Sequence, residues 1–328
     1  MALDEFELIR RHFAVVELSF PVPGLVLGIG DDCALLELPP GEQLAMSMDC
    51  LQEDVHFPAG CDPRRLAEKA LRVNLSDLAA MGAAPLCFTL GLSLPQADTG
   101  WLAAFAQGLG DVARQFRCPL AGGDTTRGSL SICIQVQGTL PRGKALQRSG
   151  ARVGDIIHVT GRLGDSAMAL PLVLGGDAAL SDLPEADREA VLRAYYHPEP
   201  RVAAGQELRD LASAAIDLSD GLASDLGHIL QASGVGAEID VERLPLSDLS
   251  IPADTERNRL QAAISGGDDY ELCFTAAPEN SEEIQRRMQE LGLLVTAIGR
   301  IRESAGIEWR GVAPDIIESG VTGYRHFH

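Results

Sequence analysis

Positive charge is scarce in this chain. Against 47 Asp and Glu stand only 27 Lys and Arg, a formal net charge of −20 over 328 residues. Such a field repels nucleic-acid phosphates and anionic lipid, and no basic cluster offsets it, so DNA, RNA and membrane surfaces are excluded as partners. A nucleotide is not excluded, because a bound divalent cation inverts the local field. No apolar run is long enough to span a bilayer. The opening residues, Met1-Ala2-Leu3-Asp4-Glu5-Phe6-Glu7, are acidic and carry no apolar leader core. The seven cysteines (33, 50, 61, 87, 118, 133 and 273) form no CxxC pair and no His/Cys zinc spacing. They read as small hydrophobes, mostly buried, in a reducing compartment, and the expected location is the cytoplasm.

Familiar catalytic signatures are missing too. There is no GxxxxGKS/T phosphate loop, no kinase catalytic loop, no GxSxG elbow and no HExxH. No GxGxxG opens a helix after the first strand, which argues against dinucleotide binding.

What is present is a recurring pairing of glycine with aspartate: Gly30-Asp31-Asp32, Gly122-Gly123-Asp124 and Gly266-Gly267-Asp268-Asp269. Each follows a run that reads as strand. Glycine permits a tight turn and close approach of an anion, and carboxylates offer hard oxygen ligands suited to Mg²⁺. Their recurrence suggests one polyanion–metal site. At Asp31-Asp32, successive side chains of extended backbone point to opposite sides, so one faces a metal and the other holds the turn, unless both serve the turn alone.

Residues Asp4 to Phe13 read as a short amphipathic helix, Val26 to Ile29 as a strand, and Gln43 to Met48 as a strand ending at Asp49. From Pro63 to Met81 the period is helical: Leu66, Ala70, Val73 and Asp77 share a stripe, so Asp77 faces the fold. A buried acid there needs a metal or an arginine. Gly82 and Pro85 end that helix. Phe88–Leu94 and Ser131–Leu140 follow as strands, with a helix over Trp101–Phe116 between them. A boundary falls within Pro141–Gly150, dividing the chain into domains 1–142 and 143–328. The second half restarts with strand Asp155–Thr160, the loop Gly161–Gly164 and helix Asp165–Leu174. In that half Asp217 ends an apolar strand, and Asp220 could cap the helix that follows.

Taken in order, these stretches resemble the thiamine-monophosphate kinases, a family within the aminoimidazole ribonucleotide synthetase superfamily. The resemblance rests on Gly28-Ile29-Gly30-Asp31-Asp32-Cys33-Ala34, Val55-His56-Phe57, Asn74 to Ala83, and Ala121 to Thr126. It continues through Leu218 to Leu222, Gly266 to Leu272, and Gly323-Tyr324. It implies an α+β, two-domain fold of the aminoimidazole ribonucleotide synthetase type. The N-terminal domain would carry metal, ATP and a dimerising sheet; the C-terminal α/β domain would complete a nucleotide and substrate cleft.

The implied activity is ATP-dependent phosphorylation of thiamine monophosphate to thiamine diphosphate, with several Mg²⁺ ions, in a homodimer. Carried over by motif, Asp32, Ser47, Met48 through its backbone, Asp49, Asp77, Asp124, Asp217 and Asp220 are the implied metal ligands. Gly123, Asp124, Arg148 and Ser219 are the implied ATP contacts; His56, Asp268 and Tyr324 would face the thiamine substrate. Three residues depart from the family: Asp268 replaces Glu, Met48 replaces Thr and Phe105 replaces Tyr.

The chemistry suits this residue set. A monophosphate carries about −1.5 to −2 charge near neutral pH, and its approach to ATP is opposed mainly by anion repulsion, which bridging metals relieve. The acceptor phosphate is already ionised, so direct in-line transfer needs no general base and no phosphoenzyme. The alternatives are an ATP-dependent ring-closing ligase of the aminoimidazole ribonucleotide synthetase type and a non-catalytic Mg²⁺- or nucleotide-responsive binding protein.

Overall fold

The computed structural model describes residues 5–252 and 255–311. They fall into two units, one comprising the described residues up to 78 together with 83–143, the other residues 79–82 and the described residues from 144 on.

The first unit opens with helix α1 (Glu5–Leu8), which runs into a π-helical turn at Ile9–Phe13. Strands β1 (Leu25–Leu27) and β2 (Leu35–Leu36) form a small antiparallel pair. The body is a four-stranded sheet built from β3 (Glu42–Gln52), β4 (Ala84–Leu94), β5 (Leu120–Arg127) and β6 (Ser131–Pro141), in the order β3-β6-β4-β5. β6 runs antiparallel to both β3 and β4, while β4 and β5 are parallel. Parallel neighbours need a crossover, and helix α3 (Thr99–Phe116) supplies it. Asp98 caps α3 by accepting from Gly100 N at 2.8 Å and Trp101 N at 2.9 Å.

Helix α2 (Pro63–Ala80) is buried along nearly its whole length, from Leu66 and Ala70 through Leu75 to Leu78. β6 alternates, with Ile132, Ile134 and Val136 wholly buried. On β3, the residues Leu44, Met46 and Met48 stand exposed on one face, Met46 at 60% and Met48 at 59%. Phe105, where the family carries Tyr, is fully buried and stacks on Trp101 with ring centroids 4.8 Å apart.

The second unit is a six-stranded sheet flanked by helices. Its chain order is β7 (Ile156–Thr160), α4 (Asp165–Leu174), α5 (Gly176–Ser181), α6 (Glu185–Tyr196), α7 (Val202–Leu208), β8 (Ala212–Asp217) and α8 (Leu222–Ser233). There follow β9 (Gly236–Asp240), α9 (Glu256–Ser265), β10 (Leu272–Ala276), α10 (Ser281–Glu290), β11 (Val295–Arg302) and β12 (Gly306–Arg310). The sheet order is β12-β9-β11-β7-β10-β8, antiparallel except for the β12–β9 pair. Its core packs Ile157, Val159, Ile216 and Ile239 against Leu222, Leu226 and Ile229 of α8.

Several expectations need correction. Asp49 lies inside β3, three residues before its end, because the β6 register continues to Gln52↔Ser131. Gly122-Gly123-Asp124 sits within β5 rather than at a turn after a strand, since parallel pairing with Leu90 and Gly91 keeps it extended. The run before Gly266 is the end of helix α9, not a strand. Asp220 does not cap α8: the cap position is Gly221, with no side-chain bond to the helix.

The cysteines also differ from expectation. Cys50 and Cys133 are joined in a disulfide, with Cα atoms 4.1 Å apart and a sequence separation of 83. They are direct partners in the β3–β6 register, a juxtaposition no local spacing rule reveals. Of the others, Cys87, Cys118 and Cys273 are buried, Cys61 is half-buried and Cys33 is exposed.

Candidate active site

In the first unit a strand period of two meets a helix period of 3.6. Ser47 and Asp49 alternate on the same face of β3, while Asn74 and Asp77, three apart, share a face of α2. These faces meet. Ser47 Oγ donates to Asp77 Oδ2 at 2.5 Å, and Asp49 N donates to Asn74 Oδ1 at 3.0 Å. Asn74 is fully buried and its amide donates to Ala70 O at 2.9 Å, within its own helix. Burial, and then the nearby Asp77 charge, push the Asp49 carboxyl up to about 6. Two carboxylates and a hydroxyl thus converge, all hard oxygen donors. The Met48 side chain points to the exposed opposite face of β3.

A separate concavity of about 810 Å³ in this unit is lined by Gly30, Asp31, Asp32, Gly123, Asp124 and Arg10, among others. Asp31 holds the turn there: its Oδ1 accepts from Asp32 N at 2.8 Å. Gly123 is required by close approach, since a Cβ at that position would lie 2.0 Å from Leu90 O. His56 sits on the turn after β3, where its Nδ1 accepts from Gln52 N at 3.0 Å.

In the second unit Asp217 ends β8 and is buried. The turn Leu218–Gly221 after it is braced from two sides. From the loop after α9, Asp268 N donates to Ser219 O and Tyr270 N to Leu218 O, each at 2.8 Å. From α8, the buried Asp225 carboxylate accepts from Asp220 N at 2.9 Å; burial first, against that bond, pushes it up to about 7. Arg148 is exposed, and its charge reaches Asp225. Behind the loop, Glu271 is buried and paired with Arg201, whose Nε donates at 2.6 Å, and it also accepts from Thr160 Oγ1 at 2.6 Å.

The fold therefore gathers Ser47, Asp49 and Asp77 in one place, Asp32, Gly123 and Asp124 around the concavity, and Asp217, Ser219, Asp220 and Asp268 at one braced turn. His56 is held on the turn after β3 by Gln52, and Tyr324 lies outside the described residues. Among the described residues no three His, Cys, Asp or Glu side chains cluster as a ready metal cage. Asn74 and Asp225 were not expected as site residues. The helical stripe shared with Ala70 and Asp77 signals the first; an acid in the first turn after Ser-Asp-Gly signals the second.

Comparison with known proteins agrees across the whole chain. Residues 30–140 match the family model for the AIR synthase related protein, N-terminal domain, and residues 152–310 match that for its C-terminal domain. Thiamine-monophosphate kinase of Salmonella typhimurium is 47% identical over 329 residues, covering 100% of this chain and 99% of the relative. That of Bacillus subtilis is 36% identical, covering 92% of each. The crystal structure of thiamine-monophosphate kinase from Stenotrophomonas maltophilia superposes with a TM-score of 0.83 at 44% identity, covering 88% of this chain and 92% of the other. A structure of AaThiL complexed with AMPPCP and TMP gives a TM-score of 0.75 at 31% identity, covering 91% and 92%. This chain belongs to the AIR synthase related family and, within it, to the thiamine-monophosphate kinases.

Proposed function

We propose that the protein transfers the γ-phosphoryl group of ATP directly to the phosphate of thiamine monophosphate, giving thiamine diphosphate and ADP. Full-length kinship with thiamine-monophosphate kinases supports this, as does a 31% identical neighbour solved with AMPPCP and TMP. The carrying observation in the fold is the convergence of Ser47, Asp49 and Asp77. Two carboxylates held this close, one already pushed toward protonation, favour a divalent cation over any neutral ligand. The all-oxygen donor set fits Mg²⁺. Several such ions are proposed: Ser47, Asp49, Asp77, the Met48 carbonyl, Asp32 and Asp124 would be ligands in the first unit, and Asp217 and Asp220 would be ligands in the second.

When bound, Mg²⁺ supplies neutralisation of the charge between two phosphate groups. The protein's part is placement. Gly123 lets backbone approach a phosphate closely, with Asp124, Arg148 and Ser219 as the further ATP contacts. His56, Asp268 and Tyr324 would hold the thiamine moiety. No side chain needs to take a proton from the acceptor.

We further propose a homodimer joined through the four-stranded sheet, whose edge strand β3 leaves Leu44, Met46 and Met48 exposed in a row. Cytoplasmic location is proposed as well, where ATP is supplied. No helix among the described residues is long and apolar enough to cross a membrane; the Cys50–Cys133 disulfide is the observation that weighs against a reducing compartment.

The deciding experiment follows thiamine diphosphate and ADP by chromatography after incubation with ATP and thiamine monophosphate, with and without Mg²⁺. Equimolar, Mg²⁺-dependent products are expected. A folded, ATP-binding protein that yields neither would overturn the kinase reading and call for assay with the formylglycinamidine substrate of the ring-closing ligases.

A further inference from the structure

The loop between α9 and β10 holds two non-glycine residues in left-handed backbone conformations, Asp268 at φ 65° and Tyr270 at φ 51°. L-residues stay there only where the surroundings fix them, and such positions concentrate at functional sites. Here the fixing is visible. The N–H groups of both residues are spent on the turn after β8, at Ser219 O and Leu218 O, and Leu218 N donates back to Glu271 O at 2.8 Å. Gly267 presses on the same turn, since a Cβ there would meet Ser219 O at 2.5 Å. Asp269, between the two strained residues, turns into the fold, where its Oδ1 accepts from Gly164 N at 2.9 Å. Asp268 and Tyr270 find each other instead: the Tyr270 hydroxyl donates to Asp268 Oδ1 at 2.9 Å.

We infer that Tyr270 is a positioning residue, whose hydroxyl orients the Asp268 carboxylate for binding thiamine monophosphate. This rests on the proposed function and assigns a role to a residue that the motif comparison leaves without one. An Asp side chain has one torsion fewer than the Glu common in the family, so it cannot extend to find its ligand; its orientation must be set beforehand. With Oδ1 engaged by a hydroxyl, the carboxylate plane is fixed before the substrate arrives, which lowers the ordering cost of binding. The ligand chemistry agrees: an aminopyrimidine N–H or a thiazolium cation is what an oriented carboxylate recognises.

The test is Tyr270→Phe, which keeps the ring and removes the hydroxyl. Steady-state kinetics would be paired with calorimetric titration of thiamine monophosphate in the presence of Mg²⁺ and a non-hydrolysable ATP analogue. The KM and Kd for thiamine monophosphate should rise roughly 5-fold, with kcat, the KM for ATP and the melting temperature unchanged. In an Asp268→Ala background, which removes the acceptor oxygen, the same substitution should add nothing further. Unchanged thiamine monophosphate affinity, or an equal loss in both backgrounds, overturns the inference. So does a Tyr270→Phe variant that melts lower and loses both substrates together, which would make Tyr270 a fastener of the loop. A wild-type protein that forms no thiamine diphosphate overturns the functional proposal instead, so the two failures are distinguishable.

Discussion

Ser47 Oγ lies 2.5 Å from Asp77 Oδ2, a strand hydroxyl and a helix carboxylate separated by 30 residues in sequence. The hydroxyl proton satisfies one carboxylate oxygen and anchors the acid on the side of α2 that faces Asp49. Asp77→Asn keeps the shape and removes the charge. Turnover should fall by roughly 10- to 100-fold or more, while the melting temperature moves by less than about 4 °C. Ser47→Ala should cost less, since the carboxylate remains. Kinetics across a Mg²⁺ titration check both; a fully active Asp77→Asn protein would make the residue structural.

Adjacent glycines in β5 should behave differently. At Gly123 an added Cβ would lie 2.0 Å from backbone oxygen of Leu90, whereas at Gly122 nothing stands within 4 Å. Gly123→Ala should destabilise by about 3 kcal/mol, because the clash is with a strand that cannot move aside. Gly122→Ala should stay within about 0.5 kcal/mol. Urea denaturation of the two variants gives the comparison directly.

His158 carries a pH dependence of its own. It is 1% exposed on β7 and stacks on Phe274 with ring centroids 5.0 Å apart. Burial pulls its pKa down to about 4, against about 6.5 when unfolded. Below pH 6.5 the unfolded chain takes up a proton that the folded one refuses, so this contribution is intact above pH 6.5 and lost progressively toward pH 4. The loss reaches about 3 kcal/mol. In His158→Gln the stability curve between pH 7 and pH 4 should be flatter by that amount, whatever its level at neutral pH.

The β3–β6 disulfide closes a separation of 83 residues. In the chain-entropy account such a link contributes up to about 4.5 kcal/mol. Alkylation of the unfolded chain without reductant should modify five of the seven cysteines, and all seven after reduction. Replacing Cys50 and Cys133 with serine should lower the melting temperature of the oxidised protein and leave that of the reduced protein nearly unaltered. Seven reactive thiols without reductant would show the pair to be a dithiol.

Much of this architecture could be read from local pattern. The 3.6-residue stripe from Leu66 to Asp77 gave helix α2 nearly to its ends, because a buried helix must show apolar residues at that period. The same stripe turned Asp77 inward. The β-branched run of β6 and the Gly82-Pro85 stop were equally local signals. Helices α5 to α7 and strands β9, β11 and β12 went unassigned. Several of these are short, and their pattern is weak beside the packing that holds them.

What the sequence determined by itself was the inventory: acidic and glycine-rich stretches in a fixed order, a helix aiming Asp77 inward, and membership of a kinase family. These depend on residue types and on spacings of a few positions. Tertiary structure decided which residues meet. Strand register set Cys50 against Cys133 and kept Gly123 extended beside Leu90. Packing of β3 on α2 joined Ser47 and Asp49 to Asn74 and Asp77, and closure of the α9–β10 loop onto the turn after β8 set Tyr270 on Asp268. Such contacts are fixed by the burial of whole faces rather than by any local preference, so they form only when the chain has folded.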